Sequence, residues 1–152
     1  AQIANDNSDG QIVLSGRNSD LNELAKILKS NAIKNLRLPV SAPFHCRLMS
    51  KATELMKKEI EQTKFKSGTN TLISNVTAEE ISNFEEIKNL LIKQIENRVR
   101  WRESIIYMIK KGVNHFIEIG PGKVLSGLVK RIDKNVKINT INSESDIKEL
   151  KI

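Results

Sequence analysis

The stretch Leu38-Pro39-Val40-Ser41-Ala42-Pro43-Phe44-His45-Cys46-Arg47-Leu48-Met49 decides how the rest of this chain is read. Pro43 disfavours helical geometry at Ala42, so the backbone stays extended towards His45 and a helix starts at or after it. Leu48, Met49, Ala52, Leu55, Met56 and Ile60 then recur at helical spacing, which predicts an amphipathic helix to about Gln62. His45, one of 2 histidines, therefore stands on a strand-to-helix connection, where α/β folds gather functional groups.

Working outward, the N-terminal flank reads as strand, helix, strand. The chain opens in strand-like sequence and turns at Gly10. Residues 11–15 form a short buried strand closed by Gly16. Asp20 with Glu23 resembles a capping box. Leu21, Leu24, Ala25 and Leu28 predict a helix over 20–30, and residues 36–40 a second strand. On the C-terminal side a short strand is expected over 71–76. A helix capped by Asn83 and Glu86 follows, carrying Gln94. The next covers 100–111, with Trp101, Ile105, Met108 and Ile109 inward and Gly112 as its left-handed stop. Strands over 113–119 and 136–141 flank a helix with Val124, Leu125, Leu128 and Val129 on one face. Alternating helices and strands point to an α/β sheet covered by helices.

Composition narrows the class. At 152 residues, 39% apolar and 28% charged, the chain suits a folded domain rather than a disordered tail. No apolar run is long enough to span a membrane, and the first residues lack the basic and apolar regions of a signal peptide. The absence of Met at a strand-like start leads us to expect further sequence upstream. The single cysteine, Cys46, excludes an internal disulfide and fits a reducing compartment, the cytoplasm or a plastid stroma. A net charge of +7 favours acidic partners, although abundant Lys, Asn and Ile also fit an AT-rich genome. Basic and aromatic residues do not interleave as a nucleic-acid stacking surface would need.

Taken from the residues alone, His45 is either a structural histidine or a general base awaiting a nucleophile. No nucleophile accompanies it. Cys46 is its neighbour, and adjacent helical residues do not face one another, so it reads as a small buried residue. No G-x-S-x-G elbow occurs: Val124 stands where the first glycine before Ser126 would be. Gly120-Pro121-Gly122-Lys123 lacks the spacing and the Ser/Thr of a phosphate loop and reads as a tight turn, with a helix N-terminus that attracts anions weakly. His115 reads as a sheet residue, and no cluster has metal-ligand spacing. Arg98, Arg100 and Arg102 look like an exposed basic patch around Trp101. Lys130 and Arg131 complement a helix C-terminus.

These segments together resemble a known family. The P-V-S-A-P-F-H-C-x-L-M run of residues 39–49 is similar to the active-site histidine segment of malonyl-CoA:acyl carrier protein transacylases. Residues 5–16 are similar to that family's N-x-N-x-x-G-Q-x-V-x-x-G strand. Lys93-Gln94-Ile95 with Trp101 and Ser104 resembles its R/K-Q-L…W…S helix, and residues 118–125 its E-x-G-P-G-x-V-L turn. The resemblance covers the C-terminal half of the family's acyltransferase domain. The G-H-S-x-G nucleophile, the malonyl-gripping arginine and the G-Q-G-S-Q segment belong to the other half and are absent here.

The resemblance implies an α/β fold. Residues 1–38 would be part of a small ferredoxin-like subdomain, and residues 39–152 the C-terminal part of a large α/β-hydrolase-like acyltransferase core. It implies malonyl transfer from malonyl-CoA to acyl carrier protein in fatty acid biosynthesis by a Ser–His acyl-enzyme, with no cofactor, metal, nucleic acid or membrane. His45 would be the catalytic base and the Gln94 main-chain carbonyl its orienting partner. Phe44 would favour malonyl over a 2-methyl analogue, and Asn5, Asn7 and Asn75 would line the substrate site. Lys130 and Arg131 would face the carrier protein or the CoA phosphates. Two other readings stand beside this one: a non-catalytic module binding an acidic carrier protein through Lys130, Arg131 and the arginine patch, and a basic α/β domain with another acidic ligand.

Overall fold

The fold is seen in a computed structural model that describes residues 1–66, 68–81 and 83–150, so the last 2 positions of the expected 39–152 part lie outside it. Strand β1 (Gln2–Ser8) pairs antiparallel with β2 (Gln11–Ser15). The tight turn between them puts Gly10 at φ +72°, a conformation open to glycine at no steric cost. Helix α1 (Asn18–Ser30) follows. A 3-10 turn (Arg47–Met49) leads into α2 (Ser50–Gln62), and then come α3 (Phe84–Gln94) and α4 (Trp101–Lys110). Gly112 at φ +95° ends α4, and Val113 N–H returns to the Met108 carbonyl at 3.0 Å. Strand β3 (His115–Ile119), helix α5 (Val124–Ile132) and strand β4 (Lys137–Ile141) make a parallel βαβ unit, closed by α6 (Glu144–Glu149).

Ile105, Val129 and Val136 form the core between α4, α5 and the parallel pair, with Trp101, Met108, Ile109, Phe116, Ile132 and Ile138 packed around them. β1 lies against α4 and α5. Its inward face is small and mostly polar: Ala4, Asp6 and Ser8 are buried. Burying a carboxylate is tolerable only when it is paired, and Arg102 supplies the pair, with Nε at 3.0 Å and Nη2 at 2.9 Å from the two Asp6 oxygens. Hydrogen bonding to Arg102 holds the Asp6 carboxyl below the usual carboxylate range, outweighing the opposing effect of burial. The pair's stabilisation is thus present above the unfolded carboxyl pKa of about 3.9 and is lost as pH falls through the lower folded value. In the full-length protein, Asp6→Asn is expected to cost about 1–3 kcal/mol at neutral pH. Urea unfolding at a series of pH values should also show a flatter loss of stability below about pH 4 than in the native protein.

The parallel sheet has only two strands among the described residues, and much apolar surface is left uncovered. Ile119 is 79% exposed and Val124 73%, with Ile117 and Leu125 partly open beside them. Parallel sheets are ordinarily covered on both faces. On α2, Leu55 and Met56 are likewise exposed.

Several expected elements are absent or altered. Residues 36–40 form no strand: they pair with no strand among the described residues, Val40 N–H turns back onto the Leu38 carbonyl at 2.9 Å, and Leu36, Leu38 and Val40 are exposed. Alternating sequence makes no strand without a ladder partner, so the N-terminal unit is a hairpin and a helix rather than strand, helix, strand. Residues 71–76 form a turn held by one bridge, Ile73 to Glu80, and by Ala78 N–H on the Ser74 carbonyl at 2.8 Å. β2 is half-buried rather than buried. Asp20 does not cap α1: its N-cap is Arg17, without a side-chain cap, and Asp20 accepts from the neighbouring Ser19 instead. Asn83 does cap α3, accepting from Glu86 N–H at 2.8 Å. Helix α6, with its Ser143–Asp146 capping box, was not foreseen.

Candidate active site

His45 sits just before the 3-10 turn with φ at +57°, the left-handed region. A non-glycine residue there costs about 1–2 kcal/mol and persists only where its surroundings hold it. Here the surroundings are specific. Cys46 is buried at 1% exposure, with Sγ 3.1 Å from the Pro43 carbonyl, and Arg47 N–H donates to Gln2 Oε1 at 2.9 Å. The left-handed turn swings the half-buried imidazole towards the end of α3, where Nδ1 lies 2.9 Å from the Gln94 carbonyl oxygen. That carbonyl belongs to the last residue of α3, where helical carbonyls lack intrahelical partners. Nδ1–H therefore donates to it. Nε2 has no hydrogen-bond partner among the described residues and is left as the ring's acceptor.

The segment after α3 gathers the other candidates. Val99 lies in parallel register with Asn5 of β1, donating to the Ala4 carbonyl at 2.8 Å and accepting from Asp6 N–H at 2.9 Å. Arg100 N–H donates to the Asn75 carbonyl at 2.9 Å. One connector thus carries the carbonyl that holds His45, the backbone that holds Asn5 and the backbone that holds Asn75. Asn7 lies two residues beyond Asn5 on the same half-buried face of β1. The side-chain amides of Asn5, Asn7 and Asn75 make no hydrogen bond among the described residues. Phe44, 49% exposed, immediately precedes His45.

The basic residues are placed differently. Arg98 and Arg100 both hydrogen-bond Glu103, Arg100 also donates to the Thr77 carbonyl at 2.8 Å, and Arg102 holds Asp6 and Asp9. The expected free arginine patch is therefore an internal ion-pair network that fastens the connector. Asp6 lies 96 residues from Arg102, so that pairing is invisible to local pattern, whereas Glu103 stands at the (i, i+3) spacing from Arg100 that a helix brings together. Lys130 Nζ donates to the Lys134 carbonyl at 2.6 Å and the Val136 carbonyl at 3.4 Å, closing the end of α5, and Arg131 reaches Gln11 Oε1 at 2.7 Å. Both side chains remain exposed, and among the described residues their hydrogen bonds go to Lys134, Val136 and Gln11 rather than to His45. Nor is the start of α5 an open anion site. The Glu118 carboxylate occupies it, accepting from Leu125 N–H at 3.0 Å and Ser126 N–H at 2.7 Å. Its position on a strand six or more residues before those donors is why sequence capping rules overlook it. His115 Nε2–H donates across the sheet to Asn139 Oδ1 at 2.7 Å, a sheet residue as expected.

Among the described residues no group of three or more His, Cys, Asp or Glu could hold a metal, and no helix is long and apolar enough to cross a membrane.

Comparisons with known proteins bear on the chain as a whole. No family model matches it. The chain is 41% identical over 147 residues to the malonyl CoA-acyl carrier protein transacylase of Bacillus subtilis, across 96% of this chain and 46% of that protein. Its structure is similar to that of an acyl-carrier-protein-S-malonyltransferase from Bartonella henselae, with a TM-score of 0.92 and 41% identity over 97% of this chain and 48% of the other. It is also similar, at a TM-score of 0.91 and 32% identity, to a malonyl-transacylase solved in complex with a type II PKS acyl-carrier protein. The chain spans about half the length of the relatives it matches.

Proposed function

From its kinship with half the length of the malonyl CoA-acyl carrier protein transacylases, we propose that this chain forms the histidine wall of a malonyl-transfer site. The reaction moves malonyl from malonyl-CoA to acyl carrier protein in fatty acid biosynthesis. The observation that carries the reading is the His45 Nδ1 contact to the Gln94 carbonyl, with Nε2 left unpartnered. A base needs a fixed tautomer with its accepting nitrogen free, and this arrangement supplies it.

The nucleophile is a serine outside these residues. His45 Nε2 takes the serine proton as the serine oxygen attacks the thioester carbonyl, and returns it to the CoA thiolate as the carbon–sulfur bond breaks. In the second half, Nε2 takes the proton of the carrier's thiol. The thiolate displaces the serine oxygen from the malonyl group, and the proton returns to serine. The imidazolium exists only between these transfers, so a neutral carbonyl on Nδ1 suffices to orient it. The negative end of the α3 dipole lies beside it, favouring the transient positive charge.

Phe44 shapes the pocket beside the base. Its ring leaves little room for a 2-methyl substituent, a preference worth about 1–3 kcal/mol. Asn5, Asn7 and Asn75 offer unpaired amides to substrate, and Lys130 and Arg131 offer exposed charge to an acidic carrier protein or the CoA phosphates. Residues 1–38 belong to a small ferredoxin-like subdomain in this reading, and residues 39–152 to the closing part of an α/β-hydrolase-like core, in a cytoplasmic enzyme. The exposed apolar faces of β3, α5 and α2 support a further body packed against them. The alternative of a non-catalytic carrier-binding module keeps Lys130 and Arg131, which are exposed, while the arginines it also drew on are engaged with Glu103, Asp6 and Asp9.

The test is direct. The full-length protein, given malonyl-CoA and acyl carrier protein, is expected to produce malonyl-carrier. Absence of transfer with a folded protein overturns the reading.

A further inference from the structure

We infer that Asn97 is a positioning residue for His45, an inference that rests on reading His45 as the base. Had α3 continued, Arg98 N–H would have closed on the Gln94 carbonyl, the standard i to i−4 bond. The ladder ends one bond short of that: Asn97 N–H still donates to the Lys93 carbonyl at 3.0 Å, and Asn97 Nδ2 donates to the same oxygen at 2.7 Å, fastening Asn97 to the helix end where the chain departs. The chain then leaves the helix axis for the β1 edge, where Val99 is held from both sides. The Gln94 carbonyl is thereby left for the imidazole.

Asn97 acts a second time on the Gln94 side chain. Gln94 Nε2 lies 3.3 Å from His45 Nδ1, on the same nitrogen that faces the Gln94 carbonyl at 2.9 Å. These two neighbours ask for opposite tautomers. The carbonyl needs a proton on Nδ1, whereas an amide hydrogen aimed at Nδ1 needs it bare, which puts the ring proton on Nε2 and disables the base. The Asn97 carbonyl, 3.3 Å from Gln94 Nε2, gives that amide another acceptor. With its side chain anchored to Lys93, Asn97 holds this carbonyl in place and draws the competing donor away from the ring.

The experiment is ring-nitrogen NMR of the histidine-labelled full-length protein, read with the rate of malonyl uptake, for Asn97→Ala, Asn97→Asp and Asn97→Ser. The native protein is expected to show a single neutral Nδ1–H tautomer at His45. Alanine lacks the donor and an ionised aspartate only accepts, so both should show mixed tautomers, with uptake slowed about tenfold through kcat at unchanged KM. A serine hydroxyl donates readily to the carbonyl four residues back and should restore both readouts to within about twofold. A pure Nδ1–H tautomer in the alanine variant overturns the inference whatever its rate, and so does a serine variant that behaves like alanine. The tautomer readout does not depend on turnover. Failure of the base assignment would appear separately, as an active His45→Ala protein.

Discussion

His45→Ala in the full-length protein is expected to slow malonyl uptake about 10²–10⁴-fold, the range lost when a positioned general base is removed. The expectation follows from what the ring does and does not touch. Nδ1 is committed to the Gln94 carbonyl, and Nε2 is uncommitted. The fold loses one hydrogen bond, worth about 0.5–1.5 kcal/mol net, so the variant should remain folded. The left-handed backbone at φ +57° is a separate matter, because alanine gains nothing there to offset its strain. Asparagine tolerates that conformation and can donate to the Gln94 carbonyl, so His45→Asn preserves the backbone while removing the base. Both variants should be slow in single-turnover acylation by malonyl-CoA. Native rates in the asparagine variant would show that the ring is structural.

Ile119→Asp should behave differently in the two contexts. At 79% exposure in this chain, the change falls among surface substitutions, usually within about 0.5 kcal/mol. Ile119 ends a parallel strand paired on one side only, next to Val124 at 73% exposure. If the remainder of the full-length protein covers this face, the aspartate is buried without a partner and costs roughly 3–5 kcal/mol. Thermal unfolding should then show a large drop in Tm for the full-length variant. An unchanged Tm would mean the face is solvated in the whole protein, and the reading of this chain as one wall of a larger core would fail.

The helices were legible in the sequence because their period and stops are local. Asn83, Gly112 and the stripe of α4 need only their own neighbours, and they lie where the spacing puts them. Residues 36–40 and 71–76 show the opposite case. Alternation in the first and the bounding Gly68 and Asn70 in the second suit a strand, but a strand is defined by its partner, and pairing cannot be read from one segment. The arginines around Trp101 are a partial case of the same kind: charge alone suggests an exposed patch, whereas Glu103 pairs with Arg98 and Arg100 locally and Asp6 pairs with Arg102 from 96 residues away. At the site, His45 could be picked out by its place between an extended segment and a helix. Its link to Gln94, 49 residues away, came from family resemblance and not from spacing. The left-handed His45 backbone and the role of Asn97 are matters of geometry that no residue pattern here announces.

On the proposed reading His45 serves a nucleophile lying outside these 152 residues. Peptide mapping of the full-length protein, quenched after mixing with malonyl-CoA, tests it most directly. The malonyl adduct should sit on a serine outside the sequence described here, vanish on addition of carrier protein, form about 10²–10⁴-fold more slowly in His45→Ala, and fail to form on the isolated chain. An adduct on any residue of this chain would contradict it.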